Sequence, residues 1–314
     1  MNDSVHAIRE LIHNSRDILI LTHVRPDGDA IGSVLGFGRS LISAGKKVQM
    51  VFPDGFPASF NHLADGDDVL KKPADGFDMV IVLDCGDLGR MGKILDGHQP
   101  DLNIDHHVTN VKFARFNLVD PDSAATSAIL AEYIPQWGLP ITQPVAEALL
   151  SGIVSDSLGF RTSNVTPRTL QLAGMLMEHG ANLPKLYNRA LVQRSFESSL
   201  LWGKGLEKLQ REGRLVWTTL THQDRKDTNY PGNDDADLIN MLSSINDSDI
   251  AIIFVEHKND RVKVSWRGQP GWNVSQIALQ FGGGGHAAAA GADIPGSLQE
   301  VMDKVLIATN AILK

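Results

Sequence analysis

The chain has 314 residues, about twice the ~150 of a common domain, so two domains are the first expectation. Hydrophobic residues are 42% and charged residues 21%, which suits a buried core and excludes intrinsic disorder, while a single cysteine, Cys85, excludes an internal disulfide framework and a thiolate-only metal site. With 29 Lys and Arg against 37 Asp and Glu the net charge is −8, which lacks the basic footprint of a protein that holds long duplex nucleic acid by neutralising its backbone.

The segment MNDSVHAIRELIHNS has no basic region followed by an apolar stretch, so no signal peptide is expected. No apolar run reaches the roughly 18 residues that cross a bilayer. A soluble, cytoplasmic protein without membrane contact is the expectation.

In chain order, residues 18–22 (ILILT) predict a buried strand, a polar loop follows, and a helix is predicted from about Ile31 to Ala44, stopped by Gly45. Strands are predicted at 48–52, at 77–83 (FDMVIVL, apolar on both faces as a central parallel strand requires) and at 102–104. Helices are predicted at 122–137, 144–155 and 166–179, the last with Thr166 and Pro167 as N-cap and first residue. This alternation predicts an α/β domain with a largely parallel sheet over residues 1–190. Residues 191–214 are expected to form a helical linker. A smaller α+β domain is expected at 215–314, with strands at 215–221, 250–256 and 262–266, a hairpin at Asn259-Asp260, and helices at 234–244, 274–281 and 297–312.

Four polar clusters fall just beyond strand or helix ends, where parallel-sheet proteins place chemistry. They are His23, Asp27 and Asp29 in THVRPDGDA, Asp84 in VIVLDCGD, Asp105-His106-His107 in NIDHH, and Asp156 in GIVSDSLGF. Each alone has an ordinary structural reading: a solvated turn, a turn cap, a hydrogen-bonded imidazole. Together they are costly to bury without compensation, and divalent cations would both neutralise the carboxylates and accept neutral imidazoles.

The motifs HVRPDGD, VLDCGD, DHH and GIVSD, in this order, resemble the DHH phosphoesterase superfamily, and FGGGGHAAAAG (281–291) resembles its accessory DHHA1 domain. Within the superfamily the chain is similar to the small bacterial oligoribonuclease and pAp-phosphatase (nanoRNase) type. The resemblance implies two divalent metal ions, Mn2+ in the first place with Mg2+ or Co2+ as alternatives. One would be held by His23, Asp27, Asp84 and Asp156, the other by Asp29, Asp84 and His106, with Asp84 bridging. It further implies that Asp105 orients the imidazoles, that His107 faces the substrate phosphate, and that the site lies in a cleft between the domains. Water activated by the metals would attack phosphorus without a covalent intermediate. Cys85 is expected to point away from the metals as a structural residue.

The run Gly282-Gly283-Gly284-Gly285-His286 follows a helix, so it is neither a Rossmann fingerprint nor a P-loop. Consecutive glycines let a phosphate approach the backbone, or serve only as a turn. The resemblance assigns Gly283, Gly284, Gly285, His286 and Arg267 to substrate binding, the guanidinium gripping a terminal phosphate bidentately. The implied substrates are short single-stranded oligonucleotides, linear dinucleotides or adenosine 3′,5′-bisphosphate (pAp). Exopolyphosphatase-like or cyclic-dinucleotide hydrolysis, and non-catalytic nucleotide binding, are the competing readings. A homodimer is compatible with any of them.

Overall fold

The computed structural model describes residues 2–57, 60–64, 66, 69–92, 94, 95 and 97–313. Two compact units are present, residues 1–193 and 194–314.

The first unit holds α1 (Asn2–Asn14), β1 (Asp17–Leu21), α2 (Gly28–Ser43), β2 (Lys47–Val51), β3 (Val69–Leu70), β4 (Met79–Leu83), β5 (Leu102–Asp105), β6 (Phe116–Val119), α3 (Thr126–Gln136), α4 (Gln143–Asp156), α5 (Pro167–Glu178) and α6 (Leu183–Tyr187). Its six strands pair in the order β3-β2-β1-β4-β5-β6, every neighbouring pair parallel. The chain walks outward from β1 to β3 and then returns to β4 on the other side of β1. That reversal opens a crevice beyond the carboxyl ends of β1 and β4, where open parallel sheets bind ligands.

Alternation along the strands divides the apolar residues between two cores. Ile18, Ile20, Ile81 and Leu83 face a core shared with Ile31, Leu35, Leu149 and Ile153, while Leu19, Leu21, Val80 and Val82 face the other side with Cys85 and Met91. The expected β-strand positions hold to within two residues at each end. The edge strands β3 and β6 escaped prediction because they are short and only half-buried, whereas the equally short β5 is buried throughout.

Helices α2 and α4 approach closely because their facing positions lack side chains. A Cβ added at Gly32 would lie 2.5 Å from the Ala148 carbonyl oxygen and 2.9 Å from the Gly152 backbone, and one at Gly28 would collide with Ser155. Gly32→Ala is therefore expected to destabilise the protein by about 1–3 kcal/mol, since backbone cannot yield as a flexible side chain would. Gly174→Ala on the exposed face of α5 meets nothing within 4 Å and should stabilise by about 0.5–1 kcal/mol. Urea midpoints of the two variants measure this contrast, and equal shifts would refute the close-packing account.

The second unit holds α7 (Phe196–Glu207), β7 (Gln210–Glu212), β8 (Leu215–Leu220), α8 (His222–Thr228), α9 (Leu238–Leu242), β9 (Ile250–His257), β10 (Arg261–Gly268), α10 (Ser275–Gln280), β11 (Gly284–Gly285), β12 (Ala289–Pro295) and α11 (Leu298–Ile312). Its sheet runs β11-β12-β10-β9-β8-β7, antiparallel except for the parallel pair β8–β9. Asn259 and Asp260 both take positive φ, 62° and 50°, as the hairpin reading of that dipeptide requires.

Three expectations need correcting. The linker expected at 191–214 lies mostly inside the second unit: Leu201 of α7 is fully buried among Val216, Leu220 and Leu238, and β7 extends the sheet. The helix expected from 234 begins only at Leu238, because Ala236 and Asp237 sit in left-handed backbone at φ 50° and 64°. The stretch from the glycines to Pro295, where no strand was expected, forms a hairpin of β11 with β12, whose Ala/Gly-rich strand carries little of the β-branched signal. Among the described residues, no helix is long and apolar enough to cross a membrane.

Candidate metal centre

The sequence-predicted residues of the first unit converge at the β1/β4 reversal. His23 follows β1 by two residues, and Asp27 is the N-cap of α2, its carboxylate accepting from the amides of Asp29 and Ala30 at 3.1 Å. The helix thus starts three residues earlier than predicted, and Asp29 is its second residue. Asp84 ends β4 in left-handed backbone, φ 54°, a conformation that costs a non-glycine residue roughly 1–2 kcal/mol. Asp105 closes β5 and hands on to His106 and His107, while Asp156 is the last residue of α4.

Asp84 stands at the centre. Its Oδ2 is 3.8 Å from His23 Nε2, and its Oδ1 is 3.7 Å from both His106 Nε2 and His107 Nδ1. Among the described residues, donor atoms of His23, Asp27 and Asp84 lie within 4.8 Å of one another, as do those of Asp29, Asp84 and His106. Asp84 therefore belongs to both candidate cation positions. The expected partition put Asp156 with His23, but its Oδ2 lies 3.6 Å from His106 Nε2, on the other half of the cluster.

Imidazole orientation is fixed from behind. His23 Nδ1 donates to the Val24 carbonyl at 2.9 Å, and His106 Nδ1 reaches the Ser123 carbonyl at 3.3 Å, which turns each Nε2 toward the carboxylates. Asp105, fully buried, accepts from His107 Nδ1 at 2.7 Å and from the His106 amide at 2.9 Å. Asn110 Nδ2 donates to Asp105 Oδ2 at 2.6 Å and to Asn103 Oδ1 at 2.7 Å, so the orienting carboxylate is itself anchored.

The electrostatics of this cluster demand positive charge. Burial, reinforced by neighbouring carboxylates, pushes Asp29, Asp84 and Asp156 up to about 7. Burial opposes a charge on His106 too, yet Asp156, Asp84 and Asp29 outweigh it and raise this imidazole to about 9. At His23 burial prevails and lowers the pKa, so the ring is neutral. Its Nε2 is buried without a hydrogen-bond partner, a lone pair aimed at a carboxylate oxygen. A cation between them would satisfy both atoms, and the mixed imidazole and carboxylate donor set fits a divalent transition metal or Mg2+.

A pH dependence follows. Groups raised in the folded state contribute stability that is present at low pH and lost as pH rises, through about 7 for the three carboxylates and about 9 for His106. Metal-stripped protein is therefore expected to lose melting temperature from about pH 4 to 7 through the carboxylates and on to about pH 9 through His106, and the increment gained on adding Mn2+ should grow over the same window. An increment independent of pH in thermal-shift measurements would contradict this electrostatic account.

Cys85 takes no part. It is fully buried on the far side of the sheet, its thiol donates to the Asp87 carbonyl at 3.1 Å, and burial pushes its pKa up to about 12, so it offers no thiolate nucleophile.

In the second unit Arg267 and His286 occupy the same end of the sheet. Arg267 pairs with Ala289 across β10 and β12, and the His286 amide donates to the Ala289 carbonyl at 2.7 Å. Arg267 is half-buried, its Nε donating to Asn240 Oδ1 at 3.1 Å. The glycines divide by role: a Cβ at Gly283 would meet the Gly291 carbonyl at 2.2 Å and one at Gly285 the Ala289 carbonyl at 2.4 Å, so both are required by hairpin packing, whereas Gly284 faces open space.

Sequence reasoning did not single out Thr126, Ser127, Asn103 or Asn110. Thr126 and Ser127 donate their amides to Asp29, and the Thr126 hydroxyl donates to Asp84 at 2.9 Å. Asn103 in NIDHH and Asn110 in DHHVTN were within reach of the local motif; Thr126 and Ser127 act across distances in sequence that no spacing rule covers.

Residues 17–153 match the DHH family, N-terminal domain, and residues 218–314 match the DHHA1 domain. The chain is 34% identical over 293 residues to a bifunctional oligoribonuclease and PAP phosphatase NrnA of Thermus thermophilus, an alignment covering 92% of this chain and 88% of that protein. It superposes with a TM-score of 0.91 and 23% identity on an exopolyphosphatase-related protein from Bacteroides fragilis, covering 100% of this chain and 98% of that one. Thermus thermophilus RecJ in complex with Mn2+ aligns with a TM-score of 0.57 and 13% identity, over 98% of this chain and 54% of RecJ. These two structures speak for the fold.

Proposed function

The chain belongs to the DHH family and carries its DHHA1 domain, and from that premise we propose that it is a Mn2+-dependent hydrolase of short oligonucleotides and linear dinucleotides, with removal of the 3′-phosphate of pAp as a second activity. The observation that carries the reading is Asp84, whose two oxygens face two different sets of candidate ligands. His23 and Asp27 complete the first set. Asp29 and His106 complete the second, with Asp156 beside His106.

When bound, the two cations would offset phosphate charge and acidify a water into a nucleophile near neutral pH. The protein's own groups do the rest. Asp105 holds His107 in one orientation, and although burial opposes charge there, the bond to Asp105 and the nearby Asp84 raise the His107 pKa. His107 is thereby suited to donate from Nε2 to a phosphate oxygen as negative charge develops. Arg267 and His286 are assigned to the substrate's second phosphate, and Gly284 to close approach of substrate to backbone. Gly283 and Gly285 enter this assignment only through the hairpin they make possible. An anchor for a second phosphate suits both a 5′-phosphorylated short oligonucleotide and the two phosphates of pAp.

The test is a chromatographic assay of Mn2+-loaded protein against pAp, 5′-phosphorylated di- to pentanucleotides, linear and cyclic di-AMP, polyphosphate and pyrophosphate. Mononucleotides released from the shortest oligomers are the expected result. Turnover of polyphosphate alone would replace the proposal with an exopolyphosphatase-like activity, and binding without turnover would leave a nucleotide-binding protein.

A further inference from the structure

We propose that Thr126 is the positioning residue of one of the two cation sites, the one shared by Asp29, Asp84 and His106, and that it sets the affinity of that site apart from the other. The inference rests on the two-cation reading above. Thr126 is fully buried and is the first residue of α3. Its hydroxyl donates to Asp84 Oδ1 at 2.9 Å and its amide donates to Asp29 Oδ2 at 2.6 Å. Both oxygens face His106 Nε2, at 3.7 Å for Asp84 and 4.0 Å for Asp29, with Asp156 Oδ2 beside them at 3.6 Å. The opposite oxygen of Asp84, Oδ2, faces His23 and receives nothing from Thr126.

One residue thus holds two of the carboxylates beside His106, Asp29 and the shared Asp84, and bonds neither His23 nor Asp27 of the other half. Asp29 Oδ1 is secured separately by the Ser127 amide at 3.0 Å, which keeps Asp29 in place when the Thr126 hydroxyl is removed. The hydroxyl bonds only the Asp84 oxygen on the His106 side, Oδ1, and leaves Oδ2 to the His23 side, so its loss acts on the His106 half. Loss of such an outer hydrogen bond typically weakens metal binding about 10–100-fold.

The experiment is a Mn2+ titration of metal-stripped full-length protein, with free Mn2+ read by electron paramagnetic resonance and heat by calorimetry. Wild type is expected to bind two ions with resolvable constants. Thr126→Val, which keeps the shape and the amide but loses the hydroxyl, should weaken one constant by about 10–100-fold and spare the other, and Thr126→Ser should restore it. Asp27→Asn should weaken the other constant, which assigns the steps. Should valine prevent folding, Thr126→Ala carries the same comparison against serine. Unchanged constants in the folded valine or alanine variant, or parallel weakening of both, would overturn the role of Thr126. A wild type that binds a single ion would instead overturn the two-cation reading itself.

Discussion

Asp84→Asn is expected to reduce phosphoester turnover by roughly three orders of magnitude or more and to weaken both cation sites together. Asparagine keeps an oxygen to accept from Thr126 and tolerates the left-handed backbone at φ 54°, so the local structure has no reason to fail. What disappears is one negative charge whose two oxygens face His23 on one side and His106 on the other. Asp27→Asn, by contrast, should weaken the His23 side alone. The same Asp84 substitution should raise the melting temperature of metal-stripped protein at pH 8, because a buried carboxylate pushed up to about 7 no longer has to ionise beside Asp27 and Asp105. Elemental analysis and melting curves on one preparation check both halves. Two ions retained at wild-type affinity would refute the bridging role.

Arg267→Ala and His286→Ala are expected to separate substrate selection from chemistry. Neither residue belongs to the two candidate cation sets that share Asp84, so the metal held by those sets should not change. Removing a charge-assisted hydrogen bond to phosphate from a water-poor site costs about 2–5 kcal/mol, a fall of roughly thirtyfold to several-thousandfold in kcat/KM, and less where water replaces the side chain. That fall should be seen with 5′-phosphorylated dinucleotides and pAp. Bis-p-nitrophenyl phosphate has no second phosphate to anchor and should be hydrolysed nearly as before. An equal fall on both substrate classes at unchanged metal content would mean that these residues act in the chemical step or in domain closure.

The residues of the candidate metal centre could be picked out in the chain because parallel sheets deliver their loops to one edge. ILIL, MVIVL and LNI announce buried strands by composition, and the residues after each, His23, Asp84 and Asp105 to His107, must then emerge on the same side. Periodicity likewise marked the α/β alternation of the first half and the hairpin at Asn259-Asp260. Other features depended on partners distant in sequence. That Thr126 bonds Asp84 and Asp29 is set by the seating of α3 on the sheet, 42 and 97 residues away. That Asp156 belongs with His106 follows from the approach of α4 to α2, which Gly28 and Gly32 permit and which no local pattern declares. At Gly283 and Gly285 the sequence left open close approach of a phosphate or a simple turn, because glycine signals only the absence of a Cβ; that the carbonyls of Gly291 and Ala289 take up that space is decided when β12 folds against them. Local sequence thus determined which donor groups exist and which edge of the sheet they reach, since those follow from short-range sterics and burial. Their pairing and protonation, and the packing each glycine permits, were decided by tertiary structure, because they depend on distances between elements that only the folded chain brings together.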